Sequence, residues 1–165
     1  MSIRPATSGD WDSMIRIYNE AVDMRIATAD TEHATLQSKQ TWLASHADDR
    51  FPIFIDERDD VVAGWCSLSP YRYGRPALRG TAEISYYISE GYQRQGIAHG
   101  LVAHAISDCG RLGIETLVAI LLESNVPSIN LLSKFDFEEW GRLPKIAEID
   151  GNRYDHLYMG RRVRE

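Results

Sequence analysis

The sequence predicts an α/β (α+β) fold, one domain over residues 1–165 in which helices flank a central mixed, mostly antiparallel sheet. Three observations predict it. Short apolar runs alternate with longer amphipathic segments, the order expected of a sheet covered by helices. Two of the runs, Pro52–Glu57 and Val61–Ser69, lie too close together for a crossover helix and should pair antiparallel through the polar turn Asp56–Asp60. The later run Ile114–Leu122 is long and apolar enough to be an interior strand. With 165 residues the chain can bury one substantial core and is short for two domains.

The elements follow in order. Ile3–Pro5 is a brief edge strand. Asp10 is placed to cap a helix reaching about Asp23, on which Met14, Ile15, Ile17, Tyr18, Ala21 and Val22 form a broad apolar stripe. A loop through Thr28–Thr31 leads to a second helix from about Leu36 to His46, with Trp42 and Leu43 turned inward. After the hairpin, Arg72, Gly74, Arg75, Pro76 and Gly80 mark a loop. A strand, Ala82–Ser89, then enters the segment EGYQRQGIAHG. Ile97, Leu101, Val102, Ala105, Ile106 and Cys109 recur at helical spacing beyond it, and Gly110 and Gly113 supply the stop. Pro127 fits the first turn of another helix, Ser128–Lys134. FDFEEWGRL and NRYDHLYMGRRV read as two late strands joined by a longer excursion. No repeat or low-complexity tract divides the chain.

Composition narrows the class. A hydrophobic fraction of 44% beside 25% charged residues describes a soluble folded chain. The start MSIRPATSGDWD lacks the basic patch and apolar run of a secretory signal, and no segment approaches a membrane span, so a cytoplasmic protein is expected. Cys66 and Cys109 have no CxxC or Cys/His company and read as buried thiols; no metal site is expected. The net charge of −6 opposes generic attraction to a nucleic-acid backbone.

The sharpest local feature is Gln93-Arg94-Gln95-Gly96-Ile97-Ala98, set between a strand and an amphipathic helix. A tight turn there gathers backbone amides, Gly96 lets the chain pass close to a ligand, and the helix adds the positive end of its dipole. An acidic protein can therefore hold a pyrophosphate locally, without a metal. The spacing is neither GxxxxGK[ST] nor GxGxxG, so neither a Walker loop nor a dinucleotide fingerprint is present.

QRQGIA resembles the acetyl-CoA loop [QR]xxGx[GA] of the GNAT superfamily of N-acetyltransferases, and ESNVPSINLLSKFDF resembles that family's NxxSxxLyxkxGF element, with Asn125, Ser128, Leu131, Lys134 and Phe137 retained. The resemblance implies acetyl-CoA as cosubstrate. The strand backbone at Tyr86, Tyr87 and Ile88 would meet its pantetheine arm, and the amides of Gln93, Arg94, Gln95, Gly96, Ile97, Ala98 and His99 its pyrophosphate. Asn125, Ser128 and Asn130 would add further cofactor contacts. Two departures stand out: the frequent tyrosine after Leu131 is Leu132, which cannot act as an acid, and the usual glycine before phenylalanine is Asp136.

Over nearly the whole chain the resemblance is to the phosphinothricin/methionine sulfoximine acetyltransferase branch, through GWCSLSPYRYGRPA, TAEISYYI and GNRYDHLYMGRR. It implies a small, amino-acid-like amine as acceptor, direct attack in a ternary complex, and a homodimer. Glu83 is the leading base. Strand alternation places it on one face with Ser85 and Tyr87. Arg72 and Arg75 are candidates to hold an acceptor carboxylate, and Asn19, Tyr73, Ser85 and Asp155 to line its cavity. His156 has no motif that makes it a base. Trp65 and Tyr87 are placed to border substrate, although Trp11, Trp42, Phe54, Trp65, Phe135 and Trp140 suit core or interface. Two other readings stay open: a protein or peptide N-acetyltransferase, and a non-catalytic acetyl-CoA-binding module.

Overall fold

The computed structural model describes residues 2–164. Seven strands form one sheet in the order β1-β2-β3-β4-β5-β7-β6: β1 is Ser2–Pro5, β2 Ile53–Arg58, β3 Val61–Pro70, β4 Thr81–Ile88, β5 Thr116–Leu122, β6 Glu138–Ile149 and β7 Asn152–Arg162. Every neighbouring pair is antiparallel except β4–β5. Four α-helices cover the sheet: α1 Trp11–Asp23, α2 Leu36–Ala44, α3 Ile97–Leu112 and α4 Val126–Ser133.

Strand alternation divides the core into two layers. Cys66, Leu68, Ala82 and Ile84 pack against Leu101, Val102 and Ala105 of α3 and Leu132 of α4. On the other face Trp65, Ile53 and Ile55 pack against Met14 and Ile17 of α1 and Leu43 of α2. The α1 stripe anticipated from periodicity buries Met14, Ile17, Ala21 and Val22.

Two tight turns fix registers on either side of the sheet. Asp59 and Asp60 (φ 49° and 61°) join β2 to β3, and Asp150 and Gly151 (φ 51° and 78°) join β6 to β7. Two successive left-handed residues give the turn whose twist matches a hairpin. The second turn corrects the longer excursion expected between the late strands. Residues 144–149 instead extend β6 as the sheet's edge strand, where Pro144 leaves no ladder donor unpaired. A register shift between Leu143 and Ala147 absorbs the irregularity. Asp155 closes it, accepting from Lys145 N at 2.9 Å and from the Arg142 guanidinium at 2.8 Å.

A second correction concerns Asp10, whose side chain caps no α1 amide. Its carboxylate instead accepts from Thr7 N at 2.7 Å and from the two terminal guanidinium nitrogens of Arg4 at 2.8 and 2.9 Å. Arg4 also bonds Glu57, tying β1, the turn before α1 and β2 together, and it holds the Asp10 carboxyl below the usual carboxylate range.

Candidate active site

The parallel pair β4–β5 is short. It joins Thr81 to Thr116, Ala82 to Leu117 and Glu83 to Val118, and stops. Beyond Glu83 the strands part: β4 stays paired with β3 as far as Ile88, while β5 stays paired with β7 as far as Leu122. The fork leaves the facing backbone edges without a ladder partner, and a ligand chain can supply one.

At the mouth of the fork the chain leaves β4, makes a short turn at Glu90–Tyr92, and enters the loop before α3. Arg94 (φ 59°) and Gly96 (φ 80°) are left-handed. A Cβ at Gly96 would meet no atom within 4 Å, so the backbone angle and not crowding within the chain calls for glycine. Gly100 N donates to Gly96 O at 3.0 Å, closing the first turn; the amides of Ile97, Ala98 and His99 precede it and have no helical acceptor. They sit at the positive end of a 16-residue helix.

A cavity of about 670 Å³ runs from this loop into the fork, between β4 on one side and α4 on the other. Gln93, Arg94, Gly96, Ile97, Ala98 and His99 line its outer end, and Tyr86, Tyr87, Ile88, Asn125 and Ser128 its inner end. Asn125 is buried and caps α4, its Oδ1 accepting from Ser128 N at 3.3 Å. A smaller cavity of about 40 Å³ continues inward past Ser85, Ala119 and Leu132. The Tyr86 hydroxyl is buried there without a hydrogen-bond partner in the chain. Burial pushes it up to about 12, the nearby Ser128 opposing the rise only in part, so it stays a donor at neutral pH. A long cavity with free amides at one end and an orphaned hydroxyl at the other fits a ligand with an anionic end and a polar arm.

On the α1/α2 side of β4 lies another cavity, about 150 Å³, which touches the fork at Ser85 and Tyr87. Its walls are aromatic. Tyr87 packs edge-on against Tyr18 with centroids 5.1 Å apart and lies 4.9 Å from Trp65, which is 5.9 Å from Trp42. Trp65 is pinned by its Nε1, which donates to Met14 O at 3.1 Å. Polar atoms are few: Ser67, buried and without a hydrogen-bond partner; Ser85; and Lys39, whose Nζ sits 5.2 Å from the Tyr18 ring centroid.

The profile for the acetyltransferase (GNAT) domain matches residues 1–138. The chain belongs to the GNAT acetyltransferase family. As such it is an acetyl-CoA-dependent acetyltransferase, and it stands close to the phosphinothricin/methionine sulfoximine branch. It is 38% identical over 164 residues, 99% of each chain, to the provisionally named phosphinothricin acetyltransferase YwnH of Bacillus subtilis (strain 168). It is 28% identical over 159 residues to the L-methionine sulfoximine/L-methionine sulfone acetyltransferase of Pseudomonas aeruginosa, covering 96% of this chain and 92% of that one. Among solved structures, the ribosomal-protein-alanine N-acetyltransferase from Brucella melitensis superposes with a TM-score of 0.91 at 30% identity, covering 98% of this chain and 99% of that one. The yncA product of Salmonella typhimurium, solved with its cofactor acetyl-CoA, superposes with a TM-score of 0.93 at 25% identity, over 100% of this chain and 95% of that one.

Within this GNAT fold Glu83 is the last β4 residue before the fork opens, on the same strand face as Ser85 and Tyr87. Its half-buried carboxylate has no hydrogen bond in the described chain, and burial raises its pKa above the ordinary glutamate value. Other residues singled out in the sequence fall elsewhere. Arg72, Tyr73 and Arg75 line a separate surface cavity of about 320 Å³ along the loop between β3 and β4. The Asn19 amide is spent on both backbone groups of Ala34, at 2.7 and 2.9 Å, fixing the loop ahead of α2. Asp155 is engaged with Arg142 and Lys145. His156 sits in β7 paired to Leu122, its pKa lowered by burial. Asn130 and Gln95 are exposed, and Gln95 donates to Gly91 O at 3.2 Å. Leu132 is buried against the fork. Both cysteines are buried on the α3 face, their thiols pushed above the ordinary range by burial, Cys109 to about 11. Among the described residues no cluster of three or more His, Cys, Asp or Glu side chains is placed to hold a metal ion, and no helix is long and apolar enough to cross a membrane.

Sequence reasoning missed Tyr18, Lys39 and Ser67 as cavity residues and gave Trp42 only a core role. They come from α1, α2 and β3, and only Lys39 and Trp42, three apart on α2, carried a local signal.

Proposed function

We propose that this enzyme transfers the acetyl group of acetyl-CoA to the primary amine of a small, amino-acid-like acceptor such as phosphinothricin, methionine sulfoximine or methionine sulfone, by direct attack in a ternary complex. The observation that carries this reading is that the compact aromatic cavity on the α1/α2 side of β4 shares Tyr87 with the long cavity entered past the amide loop, and Ser85 and Tyr87 with the small cavity at its inner end. Each end of the reaction then has its own entrance, and the reacting groups converge beside Glu83.

Bound acetyl-CoA supplies the activated acyl group; the chain does the rest. The amides from Gln93 to His99 and the α3 dipole hold the pyrophosphate, and the edge of β4 at Tyr86–Ile88 pairs with the pantetheine arm. Asn125 and Ser128 orient the arm where the strands part. Glu83 takes the ammonium proton of the acceptor, and burial suits it because a raised pKa brings a carboxylate closer to the amine it must deprotonate. Both cysteines are buried and line neither cavity, which supports direct attack without an acyl-enzyme.

In the acceptor cavity the aromatic walls suit an apolar or sulfur-bearing side chain, Ser67 and Ser85 suit its polar atoms, and Lys39 suits its carboxylate. Arg75, with Arg72 and Tyr73, is the second cationic element of this reading, on the loop that enters β4 two residues before Glu83. The edge strand β6 exposes Trp140, Leu143 and Ile146, which supports assembly as a homodimer. A cytoplasmic location fits the same reading.

The likeness to a ribosomal-protein-alanine N-acetyltransferase favours a second reading, acetylation of a protein amino terminus. One assay separates them: coenzyme A release with mass detection of product across amino acids, their sulfone and sulfoximine analogues, polyamines and short peptides. Saturable acetylation of an amino-acid analogue is the expected result, and product from peptides alone would overturn the proposal in favour of the second reading.

A further inference from the structure

Three cross-strand pairs line up along the α1/α2 face of β3 and β4. Trp65 faces Tyr87 and Ser67 faces Ser85, forming the aromatic and hydroxyl walls of the acceptor cavity; the next pair is Ser69 facing Glu83. Residues directly opposite on an antiparallel pair carry their Cβ atoms about 4.5–5.5 Å apart, within reach of one hydrogen bond or one bridging water. Above Ser69, at the end of α2, stands His46. Its Nε2 is 2.9 Å from Ser69 Oγ, and its Nδ1 is 2.7 Å from Trp42 O.

That second contact fixes the tautomer. A backbone carbonyl only accepts, so Nδ1 carries a proton in either charge state, and in the neutral ring Nε2 is a free base aimed at the Ser69 hydroxyl. The imidazole is held in place by the Trp42 ring, 4.2 Å away between centroids. Burial lowers its pKa and raises that of Glu83, the Trp42 carbonyl opposes the first shift, and no charged side chain adds a resolved shift to either group. The titratable neighbour of Glu83 along its own strand face is Tyr87. The Nδ1 contact also closes the last turn of α2, but neither acetyl-CoA binding nor acceptor binding accounts for the free Nε2 pointed at a hydroxyl beside the base.

We infer that His46, acting through Ser69, is the outlet for the proton that Glu83 removes from the acceptor. The inference rests on Glu83 being the base. The acceptor ammonium gives its proton to the Glu83 carboxylate; the Glu83 carboxyl, which makes no direct hydrogen bond to Ser69, then gives a proton through one bridging water to Ser69 Oγ as the Ser69 hydroxyl proton passes to His46 Nε2. One bond to hydrogen breaks and one forms at each transfer. The positive charge ends on a half-buried imidazolium at the end of α2, which returns the proton to water and restores an ionised Glu83 for the next turnover. His46 touches neither substrate and is a positioning residue for the proton, not a catalytic residue.

The test compares His46→Gln, His46→Ala, Ser69→Ala and the His46→Gln/Ser69→Ala double variant with wild type and Glu83→Gln. Gln keeps a hydrogen-bonding group near Ser69 and cannot take up a proton. The expected result is a fall in kcat of about tenfold in His46→Gln or Ser69→Ala alone, less than the roughly 10²- to 10⁴-fold that a positioned acid or base in contact with substrate contributes, because His46 acts one step removed, with the KM for acetyl-CoA unchanged. The double variant should be no slower than the singles, because both interrupt one path, and imidazole in the buffer should restore part of the activity of His46→Ala. Wild-type kcat and an unchanged pH profile in both singles, with Glu83→Gln impaired, would overturn the relay and leave Glu83 as the base. Wild-type kcat in Glu83→Gln would overturn the base assignment on which the relay depends. Parallel loss of melting temperature and of acetyl-CoA affinity in the singles, with no imidazole rescue, would assign His46 a packing role and likewise overturn the relay.

Discussion

Replacing Gly96 with alanine isolates the backbone geometry of the proposed acetyl-CoA loop. The added methyl has open space, with no atom inside 4 Å, so its cost within the protein is the left-handed angle alone. For an L-residue that angle costs about 1–2 kcal/mol. If the loop keeps its shape, the cost appears as stability, a fall in melting temperature of about 2–8 °C for a chain of this size. If it relaxes to a right-handed conformation, the cost appears in binding as a weakening of about 5- to 30-fold, since 1.4 kcal/mol is tenfold in an equilibrium constant. Calorimetric titration with acetyl-CoA and a thermal melt together capture both routes. Gly91→Ala is the control: its Cβ also meets nothing within 4 Å, but its φ is not positive, so neither quantity should move. An affinity within twofold of wild type together with an unchanged melting temperature for Gly96→Ala would refute the claim that the left-handed turn shapes the anion site.

Glu83→Gln should reduce kcat by about 10²- to 10⁴-fold while leaving acetyl-CoA affinity intact, measured by coenzyme A release and titration. The same change should raise the melting temperature at neutral pH. A carboxyl whose pKa is raised by folding contributes stability at low pH that is lost as pH climbs through the raised value, so a neutral isostere gains most above that range and nothing below it. Asp155→Asn should lower the melting temperature without changing either KM. The Asp155 carboxyl is held below its usual range first by Arg142, so its contribution is present above the ordinary carboxylate pKa and fades as pH falls, and the wild-type advantage in a pH series of melts should shrink in acid. Lys39→Met should raise the KM of carboxylated acceptors more than that of neutral amines, and by more than Arg75→Ala does, because Lys39 and not Arg75 lines the aromatic cavity; equal effects on both classes of amine would remove Lys39 from acceptor binding.

What was legible in the sequence was what local chemistry dictates. QRQGIA could be placed at a strand-to-helix turn because glycine, strand and amphipathic helix follow one another within a dozen residues, and α1 and β5 announced themselves by period and composition. The excursion expected between the late strands is instead an extension of β6: on an edge strand the missing donor of Pro144 costs nothing, and Asp155, ten residues on from Lys145, supplies the acceptor that the bulge needs. Asp10 misled, since its cap geometry was preempted by Arg4 from β1. Of the aromatic cavity's lining, Trp65, Ser85 and Tyr87 were singled out on the strands, while Tyr18, Lys39, Trp42 and Ser67 were out of reach because the walls come from four elements and the aromatic residues look like core. The His46–Ser69–Glu83 line depends on a cross-strand register and a helix end that no spacing in the sequence encodes.

The central claim is that acetyl passes directly between ligands meeting at Ser85 and Tyr87 of β4. The most direct measurement is the initial-velocity pattern with both substrates varied, using the best acceptor from the amine panel, combined with intact-mass analysis of enzyme mixed with acetyl-CoA alone. Direct transfer gives intersecting double-reciprocal lines and an unmodified chain; parallel lines with a stoichiometric acetyl adduct on the protein would contradict it.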